Sequence, residues 1–335
     1  MIRLGQIGAG IWGSNLLRNF ACAKGAKMVV CCDKDGRKLE RVRSLYPEIE
    51  ITTDDTTLYK RPDIDALIIA TPPSTHGELA RLALENGKHV FVEKPVALKI
   101  EDAVKIRDIA EKKKLVLMVG HLLLHHPAVK ALKKIVDSGE LGKVFYMYSA
   151  RLNLGQVRLE ENALWSLAPH DISVALYLLG TMPAEVTAWG KSYLQPDVED
   201  VIFMSLKFSG DIIYNVQVSW LDPHKIRKFT IVGSKKMAVF DDMEKKEKIK
   251  IYDKGVEKID YNAEKVFTYR EGEVHAPAVG LEEPLKIECE HFIESIKEGH
   301  KPITDGNNGI DVLRVLEAAQ ESLKNGGIPV KVKKV

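Results

Sequence analysis

Through the first 120 residues, short apolar runs alternate with stretches whose apolar positions recur at helical spacing. Residues 2–7 read as a strand, and Leu16, Leu17 and Phe20 mark a helix over 11–23. Residues 27–32, 66–70, 89–92 and 115–119 read as further strands, with helices over 75–86 and 100–113 between them, punctuated by Pro72-Pro73 and Gly87. Strands alternating with helices predict a doubly wound parallel α/β sheet for residues 1–120.

The grammar changes after residue 121. A helix over 128–138 ends at Gly139, and period-2 stretches follow over 144–153, 184–193, 200–208, 212–219 and 228–232. These predict an α+β domain over 121–335, built on an open, mostly antiparallel sheet. The Lys/Glu-rich stretch 241–258 reads as a solvated hairpin. Helices over 284–298 and 306–325, expected to pack back on the first domain, precede a last strand over 328–333.

Composition narrows the class. Of 335 residues, 45% are hydrophobic and 29% charged, and 49 Lys+Arg against 47 Asp+Glu leave a net charge of +2, which excludes disordered, collagen-like and polybasic chains. Lys245, Lys246 and Lys248 are interleaved with acids, so no nucleic-acid partner is expected. The longest apolar runs, such as 66–71 and 115–120, fall far short of the roughly 18 residues that span a bilayer. Gly5, Gly8, Gly10 and Gln6 interrupt the stretch from Leu4 to Gly13, which argues against a secretory signal. Cys22, Cys31, Cys32 and Cys289 form no C-x-x-C and read as reduced core residues, so a cytoplasmic location is expected.

Gly8-Ala9-Gly10-Ile11-Trp12-Gly13 matches G-x-G-x-x-G between a strand and a helix, with Asp33 ending the next strand. That context is the Rossmann dinucleotide-binding fingerprint: a tight turn at Gly8, backbone approach to a pyrophosphate at Gly10 and close packing at Gly13. Asp33 is placed to accept from both adenosine ribose hydroxyls and to repel a 2′-phosphate, so NAD is favoured over NADP. Lys34, Arg37 and Lys38 beside it are the residues that would accommodate NADP.

With this motif, Thr71-Pro72-Pro73-Ser74-Thr75-His76, Glu93-Lys94-Pro95, Gly120-His121 and Pro302-Ile303-Thr304-Asp305-Gly306 make the sequence resemble the glucose-fructose oxidoreductase / inositol dehydrogenase / rhizopine-catabolism (Gfo/Idh/MocA) family along essentially its whole length. Thr71, Glu93, Lys94 and Gly120 also fall at carboxyl ends of predicted strands, where open α/β sheets bind ligands. A cis Lys94-Pro95 bond would fix the ammonium toward the nicotinamide. The resemblance implies that Lys94 orients and polarises the substrate oxygen, that Glu93 and His76 lie near the nicotinamide ribose, and that Thr71 and Pro72 line the cofactor cleft. It also implies a homo-dimer or homo-tetramer.

Trp165-Ser166-Leu167-Ala168-Pro169-His170-Asp171 supplies the second element. Pro169 suits a helix first turn, followed by the apolar stripe Ile172, Ala175, Leu176 and Leu179. His170 is then expected at a helix N-terminus, where the dipole keeps it neutral and able to accept a hydroxyl proton, with Asp171 as a first-turn dipole partner. By resemblance, His170 matches the histidine of a D-x-x-x-H pair, with Ser166 where the aspartate is usual. Alternation over 144–153 puts Ser149, Arg151 and Asn153 on one face. Arg158, Glu160, Glu161, Asn162 and Trp165 follow, giving groups for hydroxyls, anionic oxygens and a ring face. The stretch from Arg151 to Asp171 resembles the family branch that oxidises UDP-N-acetylglucosamine, or its uronate, at C3. His121, His125 and His126 lack carboxylate or cysteine companions, so no metal is expected.

The expectation is an NAD-dependent sugar dehydrogenase acting on a nucleotide sugar, with Lys94 and His170 as catalytic residues. The alternatives are an inositol, free-sugar or other diol dehydrogenase of the same family, or a non-catalytic NAD-binding regulator. A fluorescence titration of the purified protein is expected to show tighter binding of NADH than of NADPH; the reverse order would refute the reading of Asp33.

Overall fold

The unbroken apolar runs near the N-terminus are buried on both faces, as strands of a parallel sheet covered by helices must be. Ala66, Leu67, Ile68 and Ile69 are wholly inaccessible, as are Val90, Phe91 and Val92. The computed structural model describes residues 1–155, 157–158, 161–261 and 264–334.

In chain order the first elements are β1 (Ile2–Ile7), α1 (Ile11–Cys22), β2 (Ala26–Cys32), α2 (Gly36–Leu45), β3 (Glu50–Thr52), α3 (Thr56–Tyr59), β4 (Ala66–Ile69), α4 (Pro73–Glu85), β5 (His89–Glu93), α5 (Ile100–Lys113) and β6 (Leu117–Gly120). The strands form a six-stranded sheet in the order β3-β2-β1-β4-β5-β6, every adjacent pair parallel. Strand order reverses between β1 and β4, so the carboxyl ends of these two strands flank the crevice that such sheets use for ligands.

Then follow α6 (Pro127–Asp137), β7 (Val144–Leu152), α7 (Ala163–Leu179), β8 (Glu185–Lys191), β9 (Val201–Lys207), β10 (Ile213–Ser219), β11 (Ile226–Gly233), β12 (Met237–Asp241), β13 (Ile249–Tyr252), β14 (Gly255–Tyr261), β15 (Glu264–Arg270), β16 (Val274–His275), α8 (Pro284–Glu298), α9 (Gly306–Lys324) and β17 (Val330–Lys331). A nine-stranded sheet runs β16-β13-β12-β11-β7-β10-β9-β8-β17. Its described pairs are antiparallel except β7 with β10, which is parallel. β14 and β15 make a separate two-stranded sheet.

The chain forms two compact units, residues 1–125 with 282–313, and residues 126–281 with 314 onward. Segment 282–313 groups with the first unit, where a plain division at residue 120 would place it with the remainder. The aromatic packing explains this: Phe292 of α8 meets Phe20 of α1 and Phe91 of β5 edge-to-face, with ring centroids 5.6 to 6.0 Å apart and all three rings buried. Stretch 241–258 corrects the sequence reading. Ile249 and Ile251 are buried and pair β13 into the main sheet against β12, so burying two isoleucines outweighs the solvation of the flanking lysines.

Phe292→Ala should lower the free energy of unfolding by about 3–5 kcal/mol, read from the urea midpoint, because it leaves a void between two rings. A loss below about 1 kcal/mol would show that this cluster does not hold α8.

Candidate functional site

The glycine turn is built by close approach. Gly8 has φ +102°, and a Cβ there would lie 2.3 Å from the Ala70 carbonyl oxygen at the end of β4. A Cβ on Gly13 would lie 2.3 Å from the Gly8 carbonyl oxygen. Gly10 differs: it is the N-cap of α1, nothing lies within 4 Å of where its Cβ would be, and no side chain caps the helix. The open N–H groups of that helix end therefore face space that an anionic oxygen can fill. Ile11 and Trp12, in the first turn, are exposed.

Two side chains hold this turn. Gln6, wholly buried in β1, donates its amide to the carbonyl oxygens of Gly8 and Gly13, both at 2.8 Å. Sequence reasoning missed this role; its signal is a polar residue inside an otherwise apolar strand. Asp33 accepts from the Ala9 N–H at 2.7 Å and the Asp35 N–H at 2.9 Å, and Lys38 reaches it at 3.3 Å. Arg37, expected among the cofactor contacts, lies in the first turn of α2. Its guanidinium is paired with Asp35, the N-cap of α2, and its side chain is 93% exposed. The open Gly10, the uncapped helix end and the Asp33 carboxylate together fit a dinucleotide: Gly10 and Ile11 would take the pyrophosphate, and Asp33 the ribose hydroxyls.

The ends of β4 and β5 face the same motif through Trp12. Its indole N–H donates to Glu93 Oε1 at 2.5 Å, and the Lys94 N–H donates to Glu93 Oε2 at 3.2 Å. Gly120 at the end of β6 lies so close that a Cβ there would sit about 3 Å from both carboxylate oxygens. Burial pushes the Glu93 carboxyl up to about 7, with Trp12 and the Lys94 charge opposing. The Lys94-Pro95 bond is cis. The Lys94 ammonium is close enough to help depress both His76 and His121, although burial is the larger cause for each. His121 donates its Nδ1–H to Asn308 Oδ1, 2.7 Å away, and burial pushes it down to about 4.

His76, expected near the nicotinamide ribose, lies between the ends of β4 and β5. Its ring is buried, with Nδ1 2.8 Å from the Pro95 carbonyl oxygen and Nε2 2.9 Å from that of Thr71. It joins the β4 and β5 loops, leaving no ring nitrogen open. The Thr71 hydroxyl is 2.7 Å from that of Thr75, and Pro72 is the exposed N-cap of α4.

In the second unit, α7 starts earlier than expected and runs through Pro169. Asn162 is its N-cap, accepting from the Trp165 N–H at 3.3 Å and donating to Glu199 at 2.6 Å and Gln320 at 3.0 Å. Trp165 donates its indole N–H to the same Gln320 oxygen at 2.9 Å. His170 thus sits about two turns inside the helix, beyond the first turn over which a dipole acts, which removes the dipole argument. The helix tolerates Pro169 because buried side chains on either side of it, Leu164, Ala168, Ile172 and Ala175 among them, offset one missing hydrogen bond.

Arg151 and Asp171 carry the largest correction. Their side chains, 6% and 4% exposed, form a buried ion pair with Nε–Oδ2 at 2.5 Å. Arg151 therefore faces α7 and is already neutralised, and Asp171 is a buried counter-ion rather than a dipole partner. Beside them, the hydroxyls of Ser149 and Tyr214 are 2.7 Å apart. Asn153 is half-buried just past β7, Arg158 is exposed and paired with Glu161 at 2.8 Å, and Glu160 lies outside the described residues. Among the described residues, no group of three or more His, Cys, Asp or Glu could hold a metal, and no helix is long and apolar enough to cross a membrane.

Comparison with known proteins identifies the family. The profile of the oxidoreductase family with an NAD-binding Rossmann fold matches residues 2–121, and that of the GFO/IDH/MocA C-terminal domain matches residues 129–239. The chain belongs to the Gfo/Idh/MocA oxidoreductase family. It is similar to the scyllo-inositol 2-dehydrogenase (NAD(+)) of Bacillus subtilis, 27% identical over 99% of this chain and 96% of that protein. It is also similar to the 2,7-anhydro-N-acetylneuraminate hydratase of Mediterraneibacter gnavus, 30% identical over 61% of this chain, a match that spans 58% of the hydratase. The UDP-N-acetylglucosamine 3-dehydrogenase of Acidithiobacillus ferrooxidans is 27% identical over 72% of this chain and 74% of its own. Its solved structure superposes with a TM-score of 0.83, at 24% identity, over 97% of this chain and 98% of that one. As a family member the chain is an NAD-dependent oxidoreductase.

Replacing Arg151 by Met, which leaves Asp171 buried and uncompensated, should cost about 3–5 kcal/mol of stability while the folded variant binds NADH unchanged. Wild-type stability with lost substrate affinity would restore Arg151 to the binding surface.

Proposed function

We propose that this protein oxidises a ring hydroxyl of a sugar or cyclitol to a ketone. Lys94 and His170 are its catalytic residues, and the C3 hydroxyl of a UDP-N-acetylhexosamine or its uronate is the target. The observation that carries the reading is Lys94, held at the end of β5 by the bond from its own N–H to Glu93 and by the His76 bridge behind Pro95, on the unit that carries the glycine turn. In this reading the Lys94 ammonium donates to the substrate oxygen and favours its developing negative charge. The His170 imidazole accepts the hydroxyl proton. Bound NAD supplies the hydride acceptor. Trp165, fixed by Gln320, offers an indole face to a sugar ring, and Arg158 offers a charge for a phosphate.

A second reading has its own support. Since Arg151 is closed by Asp171, one of the two arginines that favoured an anionic substrate is withdrawn. The relative matching this chain over almost its whole length is named for a neutral cyclitol. A panel of UDP-N-acetylhexosamines and their uronates, inositols, free hexoses and other diols, followed by NADH absorbance, separates the two. Activity confined to inositol would overturn the nucleotide-sugar reading, and silence on the whole panel would favour a non-catalytic NAD-binding regulator.

We also propose a cytoplasmic homo-dimer or homo-tetramer. The cysteines are unbridged, as a reducing compartment leaves them. Tyr146, Tyr148, Phe203, Ile213 and Trp189 lie exposed on one face of the nine-stranded sheet, the kind of apolar patch that a second copy covers.

Lys94→Ala and His170→Ala should each lower turnover by about 10²–10⁴-fold while NADH still binds. Undiminished turnover in either variant would remove that residue from the mechanism.

A further inference from the structure

Gln6 is the one wholly buried polar side chain of β1, and its Oε1 has no hydrogen-bond partner among the described residues. A buried acceptor left unmatched is destabilising, so the amide contributes through its other end. Nε2 donates to the carbonyl oxygens of Gly8 and Gly13, each at 2.8 Å. With the amide turned over, Oε1 would face those two oxygens, so the donor end is the one that points at them.

The first of these bonds holds one end of a single peptide plane. The Gly8 carbonyl and the Ala9 N–H belong to the same planar, trans group and point in opposite directions. Gln6 takes the carbonyl, and Asp33 Oδ2 takes the N–H at 2.7 Å. Turning this plane over would aim the carbonyl oxygen at the Asp33 carboxylate and the N–H at the Gln6 amide hydrogens, so the two side chains together admit one orientation. Gly8 gains most from this, because a glycine at φ +102° can reach backbone conformations that a residue with a Cβ cannot. The second bond acts likewise on the Gly13–Ser14 plane, whose N–H donates to the Gly10 carbonyl at 2.9 Å.

We propose that Gln6 is a positioning residue for the dinucleotide: from inside β1, its one amide group locks a peptide plane on each side of Gly10, so the turn is set for a pyrophosphate before the cofactor arrives. Gly10 and Ile11, at the uncapped end of α1, lie between the two locked planes. A turn that is already ordered loses no further freedom on binding, which raises affinity without any added contact. Gln6 itself is inaccessible and acts only through the turn. Asp33 also holds the Asp35 N–H and Lys38, so its place for the adenosine ribose does not depend on Gln6.

The test is calorimetric titration of the whole protein with ADP-ribose, NADH and adenosine. All three carry the ribose assigned to Asp33, and adenosine lacks the pyrophosphate. Gln6→Met, similar in size but without an amide, leaves two carbonyls unpaired and should weaken ADP-ribose and NADH by about tenfold or more while adenosine stays within about twofold. ADP-ribose bound as in the wild type, or adenosine weakened as much as ADP-ribose, would overturn the role. Hydrogen exchange in the cofactor-free wild-type protein covers a variant that fails to fold. There the Ala9 and Ser14 amides should already exchange slowly, and ADP-ribose should slow them little further. Fast exchange that turns slow only with ADP-ribose would mean that the ligand orders the turn, and Gln6 would then have no such role.

Discussion

The approach of backbone to backbone at Gly8 and Gly13 is the constraint on which the rest of the first unit depends. Gly8 sits against the end of β4 and Gly13 against Gly8, at separations that no Cβ permits. Gln6 and Asp33 tie down the carbonyl and N–H groups that this crowding leaves over. Because the turn is pinned, the N-terminus of α1 points at open space, and the Trp12 indole is delivered to Glu93 across the sheet. Glu93 in turn fixes the Lys94 backbone. A single packing requirement at two glycines thus reaches the lysine proposed to touch substrate, through a chain of hydrogen bonds from Gln6 to Glu93.

Buried charge is handled in two different ways in the two units. In the second, Asp171 is matched with Arg151, so the desolvation cost of both is offset by a short ion pair and the pair stays charged. In the first, neither carboxyl oxygen of Glu288 has a hydrogen-bond partner among the described residues, so the cost is avoided by holding a proton. The difference follows from neighbours: α7 covers a strand face that carries an arginine, whereas α8 contributes Phe292 to an aromatic cluster. The near balance of 49 basic and 47 acidic residues over the chain is silent on both arrangements, which are set by a few placed groups.

Much of this was legible in the sequence because it rests on local pattern. The alternation of apolar runs with helical periods gave the parallel sheet, and glycine spacing with Asp33 gave the nucleotide turn, since both are fixed by residues near one another in the chain. What escaped depended on distant partners. Arg151 shares the buried face of β7 with Met147 and Ser149, and Asp171, twenty positions on, takes up its charge there. His76 carries the look of a ligand-binding histidine until Pro95 and Thr71 take both its nitrogens. Ile249 and Ile251 sit in a lysine-rich context whose charge masks their period-2 burial. Gln6 shows the converse: a polar residue between the apolar positions of β1 is the trace that a tertiary role leaves in sequence.

Pro169 carries the misreading of greatest chemical consequence. A proline usually marks a helix start, and that rule would have put His170 in the field of the first turn. With the cap at Asn162 instead, α7 passes through Pro169 and the peptide N–H that would meet the Trp165 carbonyl is missing. The His170 imidazole is then placed by the helix but not tuned by its end. Its own backbone carbonyl is taken by Ser173 at 2.8 Å. In the proposed reaction the hydroxyl that His170 deprotonates is made more acidic by a cation on the substrate oxygen. Lys94 is the group suited to that: an ammonium on the substrate oxygen lowers the cost of the alkoxide. The two residues are complementary in this sense, one supplying charge and the other a proton acceptor.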